Sequence, residues 1–324
     1  AQTMPVTITA YESQFGAAIG QFTVNALPFQ LTQITDLASR MSGLPTTKPF
    51  SVAIKGTSTG LIAYESVVDN GSNDPIYIPA ISTTALGDEA MRTQILPSVG
   101  HAGTWRSDVT VFNPDDQAIQ FDLSFYKDST GELLAEAKDQ ILPAKGLLQL
   151  DDIIWSHSMV PQITSDAIGT LRVNVDSPLA DHYVVVAQRN YSDAGDLKRF
   201  GQGILAFAAA DANVETGKPA ILPAVRSDQL YKSNVGLVNV GTTDANVTIS
   251  LLDHQSGQTI GMYSLTLKPN ESKILPDMIR FLHQTADRGS IRVEVTNAAA
   301  VWAFASIIDR ATNDPEYVPA IPLD

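Results

Sequence analysis

Two acid-rich loops carry the residues best suited to chemistry in this sequence. Their oxygen-bearing side chains recur at matching positions: Asp69, Asn73 and Asp74 in the first loop, and Asp309, Asn313 and Asp314 in the second. Hard oxygen ligands of this type bind calcium, so calcium is the candidate cofactor. The acidic twelfth ligand of a calcium loop is absent, and Arg310 adds a positive charge. The pattern therefore favours hairpin turns in which Asp and Asn bond their own backbone, with calcium as the alternative.

A serine between glycines is the one candidate nucleophile with a recognisable motif. Gly56-Thr57-Ser58-Thr59-Gly60 matches the nucleophile elbow of serine hydrolases, which requires a strand followed by a helix. Here the segment is predicted to join two strands, as an ordinary turn. The five histidines share no position in the repeat described below and show no zinc spacing, and the chain has no cysteine. The sequence therefore predicts no catalytic residues and a protein that is not an enzyme.

An internal repeat of roughly 120 residues positions these loops. Tyr77-Ile78-Pro79-Ala80-Ile81 returns as Tyr317-Val318-Pro319-Ala320-Ile321, and Ile95-Leu96-Pro97-Ser98-Val99 returns as Ile221-Leu222-Pro223-Ala224-Val225. Matching residues such as Ser107 and Ser233, Val109 and Val235, Pro143 and Pro269, and Asp151 and Asp277 differ by 126 in number. The repeat predicts an incomplete module at residues 1–82 and complete modules at 93–212 and 219–324.

Within a module, apolar residues alternate with polar ones, as expected of strands with one buried face. Turn residues interrupt the pattern every 8 to 12 residues or so, which favours antiparallel hairpins. One short helix is predicted at the same place in every copy, around Asp36, Asp151 and Asp277. The predicted fold class is all-β: tandem immunoglobulin-like antiparallel β-sandwiches, each with one short capping helix, joined by short linkers into a semi-rigid rod.

The first module lacks a counterpart of the two opening strands, because Val6 corresponds to Val247 in the third strand of the last module. Three explanations remain open: a longer array that was cut, a naturally trimmed module, or strand complementation by another copy or a partner. The last predicts self-association into a homo-oligomer or fibre. Its predicted self-association edge consists of Val6 and Ile8 with the terminal residues Tyr317, Val318 and Ile321.

Charge and hydropathy argue against several classes of binding partner. The formal net charge of −14 makes nucleic acid and anionic lipid surfaces poor partners. No apolar run is long enough to span a bilayer, so membrane insertion is not predicted. The opening residues Ala1-Gln2-Thr3 are compatible with a cleaved signal peptide, which makes secretion a hypothesis.

Four segments carry a resemblance to a known kind of repeat: residues 95–99, 105–114, 169–173 and 305–320. They resemble the immunoglobulin-like modules found in tandem in large secreted or surface proteins of bacteria. The resemblance implies an accessory stalk or binding unit without catalytic residues. We therefore predict a secreted or cell-surface structural protein, acting as a stalk, adhesin or fibre subunit. The alternative is a carbohydrate- or protein-binding accessory module, which would need exposed aromatic residues grouped on one sandwich face.

Overall fold

A computed structural model describes residues 3–41, 44, 48–155, 163–176, 181–193, 195–196, 198–283, 286–297 and 299–323. The fold is all-β, as predicted, and every pair of named strands is antiparallel. Alternating buried and half-buried positions along the strands, as in Trp105–Phe112, produce one core-facing side per strand.

The second module is a complete two-sheet sandwich. Its strands are β6 (Thr93–His101), β7 (Trp105–Phe112), β8 (Ile119–Lys127), β9 (Leu133–Leu142), β10 (Leu147–Leu150), β11 (Ala167–Val175), β12 (Val185–Asp193), β13 (Arg199–Leu205) and β14 (Phe207–Ala208). One sheet has the order β10-β7-β12-β13 and the other β14-β6-β11-β8-β9. Side chains from both sheets, including Val109 and Phe121, form one buried core.

The third module repeats this arrangement. Its strands and helix are β16 (Ala220–Arg226), β17 (Tyr231–Asn239), β18 (Ala245–Asp253), β19 (Thr259–Leu267), β20 (Ser272–Leu275), α3 (Met278–Leu282), β21 (Arg288–Val295), β22 (Ala300–Asp309), β23 (Pro315–Pro319) and β24 (Ile321–Pro322). The short strand β15 (Val214–Glu215) from the preceding linker joins the sheet β15-β22-β17-β20, with β23 on β22. The second sheet has the order β19-β18-β21-β16-β24.

The first module contains only part of each sheet. Its elements are β1 (Met4–Glu12), β2 (Ala18–Ala26), α1 (Leu37–Arg40), β3 (Phe50–Gly56), β4 (Tyr64–Val68) and β5 (Pro75–Pro79). The order β2-β1-β3 reproduces β19-β18-β21, and the hairpin β4-β5 reproduces β22-β23. The described residues hold no counterpart of the opening pairs β6–β7 and β16–β17, as the repeat predicts.

The capping segment differs between modules. It is a short helix in the first and third modules, whereas residues 151–155 of the second form turns, so the predicted helix there is wrong. In all three copies an aspartate begins the segment in the left-handed region: Asp36 (φ 51°), Asp152 (φ 45°) and Asp277 (φ 44°). Asp and Asn tolerate this conformation better than most residues because their short side chains bond locally.

The structure corrects the repeat alignment by one residue in this region. Strand β9 contains a bulge near Asp139 (φ 55°), where Phe121 pairs with Gln140 but Leu123 pairs with Ala137. The extra residue shifts the following positions, so Asp152, and not Asp151, is the counterpart of Asp277. A bulge leaves the alternation on either side intact, which is why the sequence pattern concealed it.

The linkers pack onto the modules and contain structure of their own. The first holds helix α2 (Thr83–Leu86) and a 3₁₀ helix (Glu89–Arg92), and Leu86 is buried. In the second, the Asn213 amide donates to the carbonyl oxygens of Ala303 (2.9 Å) and Ala320 (3.1 Å). These contacts fit semi-rigid joints. The predicted semi-rigid rod is not a straight line of separate modules, because β13 of the second module contacts both β5 of the first and β23 of the third.

Candidate functional site

The first module exposes two sheet edges that are paired in the other modules. Strand β11 pairs with β6 and β21 pairs with β16, but β3 pairs only with β1 among the described residues. Likewise β12 pairs with β7 and β22 with β17, whereas in the described part of the chain β4 has β5 as its one partner. Unpaired backbone N–H and C=O groups at such edges are templates for another strand.

Side chains on β3 show what the missing strands would cover. The strand registers match Val52 and Ile54 with Ile291 and Val293 of β21. Both β21 side chains are fully buried, whereas Ile54 is 38% exposed and Val52 is half-buried. Strand β3 therefore has the apolar pattern of a buried strand, but the described residues of the first module include no strand that covers it as β16 covers β21.

Strand β4 is exposed along its whole length. Its pairing with β5 reproduces that of β22 with β23, so Tyr64 corresponds to Phe304 and Val68 to Ile308. Phe304 is 2% exposed and Ile308 4%, against 45% for Tyr64 and 50% for Val68. One strand thus carries side chains suited to a buried position on a surface open to solvent.

Glu65 departs from the apolar pattern of β4. It corresponds to Ala305, a fully buried core residue. The residue as a whole is exposed, yet surrounding protein desolvates the carboxyl group and raises its pKa. A carboxylate aimed at a core position is a known means of protecting an open edge from indiscriminate pairing.

A third segment of the first module also lacks its partner. Strands β10 and β20 pair with β7 and β17, and the corresponding residues 31–34 form no strand. Leu31 is 69% exposed, and Phe29 is fully exposed at φ 59°. The corresponding turn residues, Lys145 (φ 54°) and Asn270 (φ 63°), share this backbone geometry. Among its described residues the first module has no counterpart of β7 and β17, which therefore accounts for the absence of a strand at residues 31–34.

Two residues of the predicted self-association edge lie inside a sheet. Val6 and Ile8 are each 4% exposed in β1, the middle strand of its sheet, and both neighbours of β1 are present. They cannot accept another strand, so naming them as edge residues is wrong. The prediction failed because the third strand of the repeat lies inside its sheet, and the loss of the opening strands exposes β3 and β4 instead.

The terminal residues of the predicted edge are also occupied. Tyr317 and Val318 pair with β22, and Ile321 pairs with Ile221 of β16. The terminal segment therefore closes its own module, as β14 closes the second. It is not a spare strand, although the side chain of Ile321 remains 54% exposed.

The two acid-rich loops are hairpin turns stabilised by their own backbone. Oδ1 of Asp69 accepts hydrogen bonds from the N–H groups of Gly71 (3.0 Å) and Ser72 (2.9 Å). Asp309 accepts the equivalent bonds from Ala311 (2.8 Å) and Thr312 (3.0 Å). Asn73 and Asn313 both lie at φ 59°. Such bonds from an aspartate to its own backbone are those expected of hairpin turns. No group of three or more potential metal ligands occurs in the described part of the chain, and calcium stays a prediction.

The two loops also lie close to each other. Asp74 accepts a hydrogen bond from the N–H of Gly201 in β13 (2.7 Å), and burial raises its pKa. A cleft of about 480 Å³ separates this loop from the Asp314 loop. Burial, together with the charges of Asp74, Asp309 and Glu316, raises the pKa of Asp314 to about 6. The loops therefore bring like charges together where modules one and three meet.

A histidine–aspartate pair that the sequence did not predict stabilises the cap of the second module. Nδ1 of His101 lies 2.9 Å from both carboxylate oxygens of Asp152, and Trp155 stacks on the imidazole at 4.5 Å. In the third module the Ser227 hydroxyl donates to Asp277 in the same way. Because serine replaces histidine there, the shared feature is a bond from the opening strand to the cap.

Ser58 lies in the turn that follows β3, and the chain continues to β4 without a helix. Its hydroxyl donates to the sulfur of Met4 (3.2 Å). This is the strand-to-strand setting that the sequence predicts, and it differs from a nucleophile elbow. No helix in the described ranges is long and apolar enough to cross a membrane.

Comparison with known proteins assigns no family. No family model and no curated protein matches the chain. Two solved chains match, one of them the crystal structure of a lectin from Pleurotus ostreatus in complex with GalNAc. That lectin is 10% identical over 72% of this chain and 76% of its own, with a TM-score of 0.19. A likeness this weak supports no statement about a ligand.

Proposed function

We propose that this protein is a non-enzymatic structural protein whose first module is completed by strands from another polypeptide. The added segment would be a strand pair with the chemistry of β16 and β17, placed against β3 and β4. This strand complementation joins subunits into an oligomer or fibre that serves as a stalk or adhesin.

One observation carries the proposal: side chains of the first module are exposed where their counterparts in the third are buried. Val68 is exposed whereas its counterpart Ile308 is buried. Ile54 is exposed whereas its counterpart Val293 is buried. The registers of the third module specify the fit, because Leu222 would face Val52 and Val235 would face Glu65. The edges would supply backbone hydrogen bonds, and the alternating side chains would supply specificity.

A secreted or cell-surface location and membership of the tandem bacterial repeats belong to the same proposal. Both rest on the repeat and on the sequence segments that resemble those modules.

Carbohydrate binding is a second candidate, favoured by an exposed aromatic pair. The rings of Tyr64 and Tyr77 lie 5.1 Å apart on one side of the first module. They are tilted by 37°, so they form no flat platform for a sugar ring. Titration with simple sugars that quenched tyrosine fluorescence, with loss of the effect in Tyr77→Ala, would favour this candidate over assembly.

Sedimentation velocity over a range of protein concentrations tests the proposed function. We expect concentration-dependent association that strengthens with salt, because salt screens the net charge of −14. Val68→Lys in β4 should weaken association, whereas Ile141→Lys on β9, at a position 71% exposed, should leave it unchanged. A compact monomer at every concentration would contradict the proposal.

A further inference from the structure

The contact between the second and third modules is an apolar joint. Ile95 and Phe207 of the second module form a buried cluster with Val238 and Phe304 of the third. Phe207 stacks on Trp302 with ring centres 4.0 Å apart and planes 6° from parallel. We call Ile95 and Phe207 the giving face of this joint. Its receiving face consists of Val238, Trp302, Phe304 and Tyr317.

The first module carries counterparts of three of these four residues, and they are uncovered; Val238 lies on β17, which has no counterpart there among the described residues. Its counterparts of Trp302, Phe304 and Tyr317 are Ile62, Tyr64 and Tyr77. The rings of Tyr64 and Tyr77 are 5.1 Å apart at 37°, and those of Phe304 and Tyr317 are 5.2 Å apart at 35°. Ile62 is 90% exposed, Tyr64 45% and Tyr77 57%. The ring-pair geometry that contacts the second module in the third module is therefore exposed to solvent in the first module.

The third module carries the giving face, also uncovered. Phe207 pairs with Ile95 on β6, and Ile321 pairs with Ile221 on β16 in the same register. Ile321 is 54% exposed and Ile221 is half-buried, whereas Phe207 is 7% exposed and Ile95 fully buried. The two ends of the chain therefore present complementary halves of an interface already formed within it.

A second contact between neighbouring modules repeats in the same way. The turn at Gly131 (φ 68°) lies against residues 269–271 of the third module, and the N–H of Ser129 donates to the carbonyl oxygen of Ser272 (2.7 Å). The turn at Gly16 (φ 64°) lies against residues 144–145 of the second module. The equivalent turn at Gly257 (φ 69°) has open space around it.

The receiving residues for such a turn are also free in the first module. The counterparts of Asn270 and Ser272 are Phe29 and Leu31, which are 105% and 69% exposed. The aromatic contact and the turn contact between the second and third modules therefore both have exposed counterparts, one half on the first module and the other half on the third.

We propose that a second copy of this chain docks head to tail, with the third module of one copy seated on the first module of the next. Ile321 then covers Ile62, and the Gly257 turn lies on Phe29 and Leu31. This inference goes beyond the proposed function, because the contact covers another face of the first module and leaves the edges of β3 and β4 open to a strand pair. The contact is heterologous, so it repeats along an open chain of subunits and does not close at a dimer.

Engineered cysteines test this register without interference, because the chain has none of its own. The variant carrying Ile62→Cys and Ile321→Cys, treated with a short bifunctional maleimide, should give a ladder of covalent multimers. Its crosslinked peptide should join positions 62 and 321. Phe207→Cys with Trp302→Cys is the positive control, since this pair should crosslink within one chain. Ile141→Cys with Ile321→Cys is the control for random collision.

A further change at the receiving face sharpens the test. Adding Tyr77→Ala to the 62/321 pair should lower the ladder yield about tenfold, the effect of losing an aromatic anchor worth about 1.4 kcal/mol. Absence of the 62–321 crosslink, with the 207–302 control positive, would overturn the head-to-tail contact. If such a sample still associated in sedimentation, only this register would fail. If it did not associate, the proposed function would fail as well.

Discussion

The ionisation of Asp314 responds to the contact between the first and third modules. Its pKa of about 6 lies above the ordinary value of 3.8, chiefly because of burial and then because of the Asp74 charge. Between these values the folded protein holds a proton that the unfolded chain has released. The contribution of Asp314 therefore favours folding at low pH and is lost as the pH rises from about 4 to about 6.

Replacing Asp314 tests this assignment. Asp314→Asn removes the charge, so we expect a higher melting temperature than the parent at pH 7 and little difference at pH 4, measured by thermal unfolding. Asp309→Asn is the matched control with the opposite sign. Hydrogen bonds from Thr312 and Ala311 lower the pKa of Asp309, so this variant should lose stability at pH 7. Equal behaviour of the two variants would contradict the account.

Among single residues, the sequence predicted the turn aspartates but not Glu65 or the Asp152–His101 pair. Asp69 and Asp309 act within their own loops, so local pattern was enough to place them. The role of Glu65 depends on the register between distant strands. His101 and Asp152 are 51 residues apart, and no spacing rule connects them.

At the scale of elements, the opening strands stabilise the caps as well as the sheets. Asp152 and Asp277 are bonded by residues at the ends of β6 and β16. Asp277 also accepts a bond from Arg310 (2.8 Å). Among the described residues, the carboxylate of Asp36 accepts one hydrogen bond, from the N–H of Ser39 within the same helix (3.3 Å). The first module therefore lacks the anchor that fixes its capping helix to the sandwich.

Asparagine replacements compare these caps while preserving the left-handed backbone. Asp277→Asn should lower the free energy of unfolding by about 1 kcal/mol, because it weakens the charge-assisted bond to Arg310. Asp36→Asn should change it by less than about 0.5 kcal/mol, as is usual for exposed sites. Denaturant unfolding measures both. A larger loss for Asp36→Asn would show that the first cap is anchored by contacts other than those described.

The order of the elements and the incomplete first module could be predicted, because both follow from period-two alternation and from residues that match between modules at a fixed offset. The one-residue bulge at Asp139 could not, since polar edge residues leave the alternation on either side unchanged. The cap at 151–155 is turns because helix formation in so short a segment depends on its packing, which composition does not specify.

At the scale of the molecule, the repeat is also a rule for joining modules. The Gly16 and Gly131 turns pack on the following module in the same way, and β13 lies between β5 and β23. Sequence alone predicted a rod because the linkers are short, and the length of a linker does not specify which faces of the modules meet. The structure shows Trp302 at a joint between modules and Tyr77 exposed on the first module.

Hydrogen exchange of the full chain, with and without a peptide of residues 219–240, tests most directly whether the first module accepts an opening strand pair. We expect the peptide to slow exchange in residues 50–56 and 64–68, because it pairs with the open edges of β3 and β4. A peptide carrying Leu222→Asp and Val235→Asp should give no protection. Unchanged exchange in both strands at saturating concentrations of the native peptide would contradict the account.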